Sequence, residues 1–170
     1  MACACWTGIP GTTLKTRPAM SEISFYQLGR QSIERALLKL LQKTLDGGNK
    51  AVIRLASDAD VGVFDLALWT HDPDSFLPHG TANSNFPEAQ PVYLTDGEDN
   101  PAGADFLFIL HGAPIGDIDK YKRVFLVFNG AIAGEVKRAR EHWKSFKEAG
   151  ANLTYWSQTE NGNWVKKSTA

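Results

Sequence analysis

The chain has 170 residues, which suits one ordinary domain with a substantial core. Eighteen Lys and Arg stand against 19 Asp and Glu, a formal net charge of -1, so no global field draws the chain to nucleic acid and DNA is expected to be reached only indirectly, through a partner. Two cysteines rule out a disulfide framework or a four-ligand zinc site, and no apolar run approaches a membrane span, so the expectation is a soluble cytoplasmic protein with no cofactor or metal and no membrane contact.

Residues 1–19 are rich in Gly, Thr and small side chains and lack the apolar core of a secretory signal; they read as a disordered leader. Met20 directly precedes the first strand-like segment and is an alternative start, leaving residues 20–170 as the folded domain. Cys3 and Cys5 have no nearby ligands and make a poor metal or redox tip.

From Ile23 onward, strand-like and helix-like segments alternate, the pattern of an α/β layer fold. Ile23–Leu28 reads as a strand. Ser32 can cap a helix whose residues Ile33, Ala36, Leu37, Leu40, Leu41 and Leu45 share a face until Gly47-Gly48 stops it. Ala51–Ala56 is a second strand, and Asp58 or Asp60 can cap a second helix through Leu68.

The helix then breaks into ALWTHDPDSFLPHG, Ala67–Gly80, a loop that keeps Trp69, Phe76, Leu77 and His79. Pro73 and Pro78 fix φ and remove donors, so the connection should be stiff and should present Phe76 at a defined angle. Either Phe76 meets a partner, or it folds back over the sheet edge while His79 bonds within the loop. His71, Asp72, Asp74 and His79 also raise an alternative: a metal-dependent hydrolase, or a nucleotide-binding α/β protein. Their spacing matches no helix-presented ligand motif, and no Gly-x-Gly-x-x-Gly follows the first strand; Gly8–Thr13 lacks both the lysine and the strand-helix context of a phosphate loop.

Val92–Leu94, Phe106–Leu110 and Val124–Phe128 are nearly unbroken apolar runs, as in strands buried on both faces, so a mostly parallel sheet covered on both sides is expected. On a final helix near Ala131–Ala149, residues Ile132, Val136, Ala139, Trp143 and Phe146 fall within about 40° of one direction at about 100° per residue, forming a buried stripe. Lys137, Arg140, Lys144 and Lys147 lie on one flank of it. Such a ridge suits a short acidic peptide ending in an apolar residue and a carboxylate, with Arg140 gripping the carboxylate and Trp143 and Trp69 walling an apolar pocket. The alternative is a solvated flank, Lys137 and Lys144 each pairing with Glu141. Leu153–Ser157 and Asn163–Lys166 flank Asn161-Gly162, a type I′ signal, so the chain should end in a strand or hairpin extension in which Trp156 and Trp164 cover the sheet edge or add contact surface.

Two blocks carry a family resemblance. Ala67-Leu68-Trp69, a polar segment with Pro73, and Ser75-Phe76-Leu77-Pro78-His79 form the first; Ala139-Arg140-Glu141-His142-Trp143-Lys144-Ser145-Phe146 with Ala149-Gly150 and Asn152-Leu153 form the second. Together they resemble the chi subunit of the bacterial DNA polymerase III clamp-loader complex, in element order from about Ile23 to Leu153. The resemblance implies a single Rossmann-like α/β/α domain and a non-catalytic adaptor of the replication machinery. It also implies a site for the acidic C-terminal tail of single-stranded-DNA-binding protein at Trp69, Arg140, Trp143 and Lys144, with Lys137 a further candidate; Trp143 stands where the family has tyrosine, so that hydroxyl is lost. Phe76, Leu77, Pro78 and His79 would form a second surface for the psi subunit, for a lineage-specific replacement, or for a helicase.

Overall fold

The computed structural model describes residues 21–70, 76–110 and 112–170. The proposed leader, Cys3, Cys5, the Gly8–Thr13 run, His71, Asp72 and Asp74 lie outside the described residues. Among the described residues, the chain runs β1 (Glu22–Leu28), α1 (Ile33–Asp46), β2 (Ala51–Arg54), α2 (Asp58–Thr70), β3 (Val92–Thr95), β4 (Phe106–Leu110), β5 (Arg123–Asn129), α3 (Ala133–Glu148), β6 (Leu153–Gln158) and β7 (Trp164–Thr169). No helix among them is long and apolar enough to cross a membrane.

The strands form one sheet in the order β3-β2-β4-β5-β1-β6-β7. Neighbours are parallel except β6 and β7, which pair antiparallel as a C-terminal hairpin. The expected α/β/α domain with a mostly parallel sheet and a C-terminal hairpin is thus what the chain adopts. Val52, Ile53, Leu107, Phe108 and Val124 are completely buried because successive side chains enter two different cores, one on each face.

Topology decides which helix covers which face. The connections from β1 to β2 and from β2 to β3 travel toward one edge of the sheet, while the connection from β5 to β6 passes over β1 toward the other. Right-handed crossovers travelling in opposite directions put their helices on opposite faces. Accordingly α1 and α2 bury Leu37, Leu41, Phe64 and Leu68 in one core, and α3 sets Ala139, Val136 and Trp143 against the other. The sheet has its topological switch between β1 and β5, whose following helices leave to different sides, and a crevice is expected at the carboxyl ends of those strands.

Several local expectations change. Ser32 Oγ does accept from Arg35 N at 3.4 Å, capping α1. The cap of α2, however, is Ser57 rather than Asp58 or Asp60: its hydroxyl accepts from Asp60 N at 3.3 Å and donates to the Asp60 carboxylate at 2.7 Å. The hairpin is not a type I′ turn, since Asn161 keeps a negative φ and only Gly162 is left-handed, at +80°. Gly162 N donates to Thr159 O and Thr159 N to Asn163 O, the arrangement of a turn followed by a glycine bulge. Ile132 precedes α3 instead of joining its buried stripe, and is 47 % exposed.

Candidate functional site

At the carboxyl end of β5 the backbone is shaped by its own side chains. Asn129 Oδ1 accepts from Ala131 N at 2.9 Å, and the Glu135 carboxylate reaches back from the first turn of α3 to accept from Asn129 N at 2.7 Å. Gly130 N donates to Leu28 O, and the close approach requires glycine: a Cβ there would lie 2.7 Å from that carbonyl and 2.5 Å from Gln27 Nε2. This tight turn opens a cavity of about 520 Å³ beside α3.

The cavity has a small-residue mouth at Gly130, Ala131 and Ala133, an apolar wall at Val136, and a charged wall of Lys137, Arg140, Glu141 and Lys144. Three of the basic residues expected on the ridge therefore converge on one concave surface, spaced along α3 at three and four residue intervals. No carboxylate among the described residues lies within ion-pair distance of Lys137 or Arg140. Lys144 reaches Glu148 at 4.0 Å, not Glu141, and both ends of that pair are exposed. The guanidinium of Arg140 is thus available to an incoming carboxylate.

Trp143 is half-buried between cavity and core. It meets Phe25 edge-on at 5.2 Å and Tyr155 at 5.8 Å, so the ring belongs first to the core seam under α3 and does not line the cavity. Tyr155, on β6, donates its hydroxyl to Gln27 Oε1 at 2.7 Å. Burial pushes its phenol above the usual 10.0, and the nearby Arg140 charge draws it partly back. Tyr155 and Gly130 were not singled out from the sequence, and Val136 was read as part of the buried stripe rather than as a cavity wall. A period-two partner of Leu153 and the glycine ending an apolar strand were the available signals.

Trp69 does not join this site. It lies on α2, across the sheet from α3, and its ring sits 5.9 Å from Phe76 and 4.8 Å from His79. The expected pairing of Trp69 with Arg140 and Trp143 is corrected by the crossover geometry. Phe76 (72 % exposed) and Trp69 (55 %) instead extend an apolar stripe with Val63 and Leu66 on the outer face of α2. Pro78 is half-buried beside them.

Leu77 and His79, expected as contact residues, are buried. Leu77 enters the first core, and the His79 ring donates from Nδ1 to Leu77 O at 2.6 Å while Nε2 faces Asp65 Oδ1 at 3.5 Å. Both act from behind the surface by fixing the loop to α2. With Nδ1 committed, His79 is a poor member of a hydrolytic cluster, and no group of three or more His, Cys, Asp or Glu among the described residues could hold a metal ion.

Compared with known families, the chain matches the profile described as DNA polymerase III chi subunit, HolC, over residues 20–154. A relative from Rickettsia prowazekii (strain Madrid E), "Probable DNA polymerase III subunit chi", is 30 % identical over 113 residues, 66 % of this chain and 68 % of the relative. The profile match includes both surfaces above and stops short of Trp156 and β7.

Proposed function

The chain belongs to the family of DNA polymerase III chi subunits, and from that membership we propose that it is a non-catalytic adaptor of the replicative polymerase, working in the cytoplasm. Its α3 cavity takes the acidic C-terminal tail of single-stranded-DNA-binding protein. The observation that carries this reading is the convergence of Lys137, Arg140 and Lys144 on a cavity of about 520 Å³ with an apolar wall at Val136. A peptide carboxylate at Arg140 gains a bidentate charge-assisted pair, the terminal apolar side chain covers Val136, and upstream acidic residues meet Lys137 and Lys144.

The second surface, Phe76, Trp69 and Pro78 with Val63 and Leu66, faces away from the tail site and suits an apolar partner: psi, a lineage-specific replacement, or a helicase. Occupying both surfaces links single-stranded template to the clamp loader. Calorimetric titration with the tail peptide tests the first half. Saturable binding that weakens when the terminal carboxylate is amidated supports it, and equal affinity for the amidated peptide refutes it.

A further inference from the structure

Across the sheet from the tail site, a second cationic cavity opens between α1 and the turn of the β6–β7 hairpin. Its volume is about 320 Å³, and its lining includes Arg30, Arg35 and Lys39 against one carboxylate, Glu160, which sits 3.8 Å from Arg30. Both members of that pair are highly exposed, so the contact neutralises little. Arg35 and Lys39 lie one turn apart on α1, and no carboxylate among the described residues is within ion-pair distance of either. The local charge is therefore positive although the whole chain carries -1.

Beside this cavity stands an aromatic platform. Tyr26 on β1 stacks with Trp156 on β6 at 6.2 Å and 11°, and Trp164 on β7 meets Tyr26 edge-on at 4.8 Å. Tyr26 and Trp164 pack against the α1-side core, so the platform shares a face of the sheet with α1. Trp156 is opposite Lys166 in the ladder, and Trp164 opposite Gln158, itself a lining residue of the cavity. Trp156 and Trp164 are only half-buried. Covering a sheet edge calls for apolar bulk, but it does not call for two indoles beside three cations that face a single carboxylate.

We propose that this groove binds single-stranded DNA directly, its phosphates along Arg30, Arg35 and Lys39 and its bases against Trp156 and Trp164. Cations that track a backbone, next to aromatic rings set side by side on a sheet, form the arrangement that holds single strands without reading sequence. The inference departs from the expectation of purely indirect DNA contact, and it is independent of the tail site, which lies on the other face of the sheet. Trp156 and Trp164 lie beyond the family match, whereas Tyr26 and the three cations lie within it.

The test is fluorescence anisotropy of the full chain with fluorescein-labelled oligothymidylate of about 15 nucleotides over a range of salt. Wild type should bind at low salt, more tightly than to an abasic strand of equal length. Arg35→Glu with Lys39→Glu, on an exposed helix flank, should weaken binding at least tenfold and reduce the salt slope by about 1.4, at about 0.7 per lost phosphate contact. Trp156→Leu should erase the preference for oligothymidylate over the abasic strand. Arg140→Ala should change none of this. No binding at low salt, indifference to the charge reversals, or loss on Arg140→Ala would overturn the proposal. If the charge reversals weaken the tail peptide and spare the oligonucleotide, the groove is an acidic-peptide site and the proposal fails.

Discussion

Replacing Arg140 by alanine tests the tail site most directly, and the structure sets the expected size of the effect. Arg140 lines the cavity and has no carboxylate partner among the described residues, so its removal disturbs no ion pair of the free protein. The loss appears on binding. An exposed pair is worth at most about 1 kcal/mol, and truncating one member of a fully desolvated pair costs about 2–5 kcal/mol. The cavity is open, but Arg140 shares its concave surface with Val136, Gly130 and Ala131, which places the expected loss near the lower end of the second range, about 2 kcal/mol, or roughly thirtyfold in Kd. Lys144 is already engaged with Glu148 and highly exposed, so Lys144→Ala should weaken binding by less than about 1 kcal/mol. Arg138 lies on the opposite flank of α3, beside Gly112, and Arg138→Ala provides the charge-matched control. Calorimetry with the tail peptide at two salt concentrations separates these outcomes, because contributions from exposed lysines are screened by added salt. An Arg140→Ala protein that folds and binds with unchanged affinity would refute the site. Equal losses for Arg140→Ala and Arg138→Ala would refute the geometry, leaving only net charge as the cause.

The remaining predictions address the second surface, the loops and alkaline pH. Because Trp69 and Phe76 are in ring contact, Trp69→Ala and Phe76→Ala should each weaken capture of the clamp-loader partner by about 2 kcal/mol, with a non-additive double variant and unaltered tail affinity; loss of tail binding in either would contradict their position across the sheet from α3. Leu77→Ala should lower stability by about 2–4 kcal/mol in urea unfolding, as a core truncation does, and a stable variant that loses only the partner would make Leu77 a contact residue after all. Gly116 has φ +58°, and a Cβ there would run into Glu98 Oε1 and lie 2.8 Å from Nη1 of the buried Arg54; Gly116→Ala should therefore cost about 1–3 kcal/mol, and an unchanged denaturation midpoint would refute that packing. Burial raises the phenols of Tyr26, Tyr93, Tyr121 and Tyr155 above 10.0. A raised folded-state pKa keeps its stabilising share below 10.0 and loses it as pH climbs through the folded value, so Tm should fall at pH above about 10, whereas a flat profile there would show the phenols ionising equally in both states.

Much of the fold is written in the local sequence. Unbroken apolar runs such as Phe106–Leu110 identify strands buried on both faces, the Ser32 cap and the Gly47-Gly48 stop bound α1, and the helical spacing of Lys137, Arg140 and Lys144 forecasts one basic flank. These are properties of neighbours along the chain, governed by periods of two and 3.6 residues, and periodicity survives without knowledge of the tertiary fold. Which flanks face one another is a different matter. Trp69 and Trp143 are equally plausible pocket walls until the crossover directions put α2 and α3 on opposite faces of the sheet. Leu77 and His79 read as contacts beside Phe76, yet the loop turns them inward, since Leu77 fills the α2-side core and its carbonyl accepts from the His79 ring. Tyr155 meets Trp143 from a strand that follows α3, and Trp164 reaches Tyr26 from the far end of the chain, through strand order that no local pattern encodes. Local periodicity determined the elements and their chemistry; the handedness of crossovers and the order of strands decided which of those chemistries share a surface.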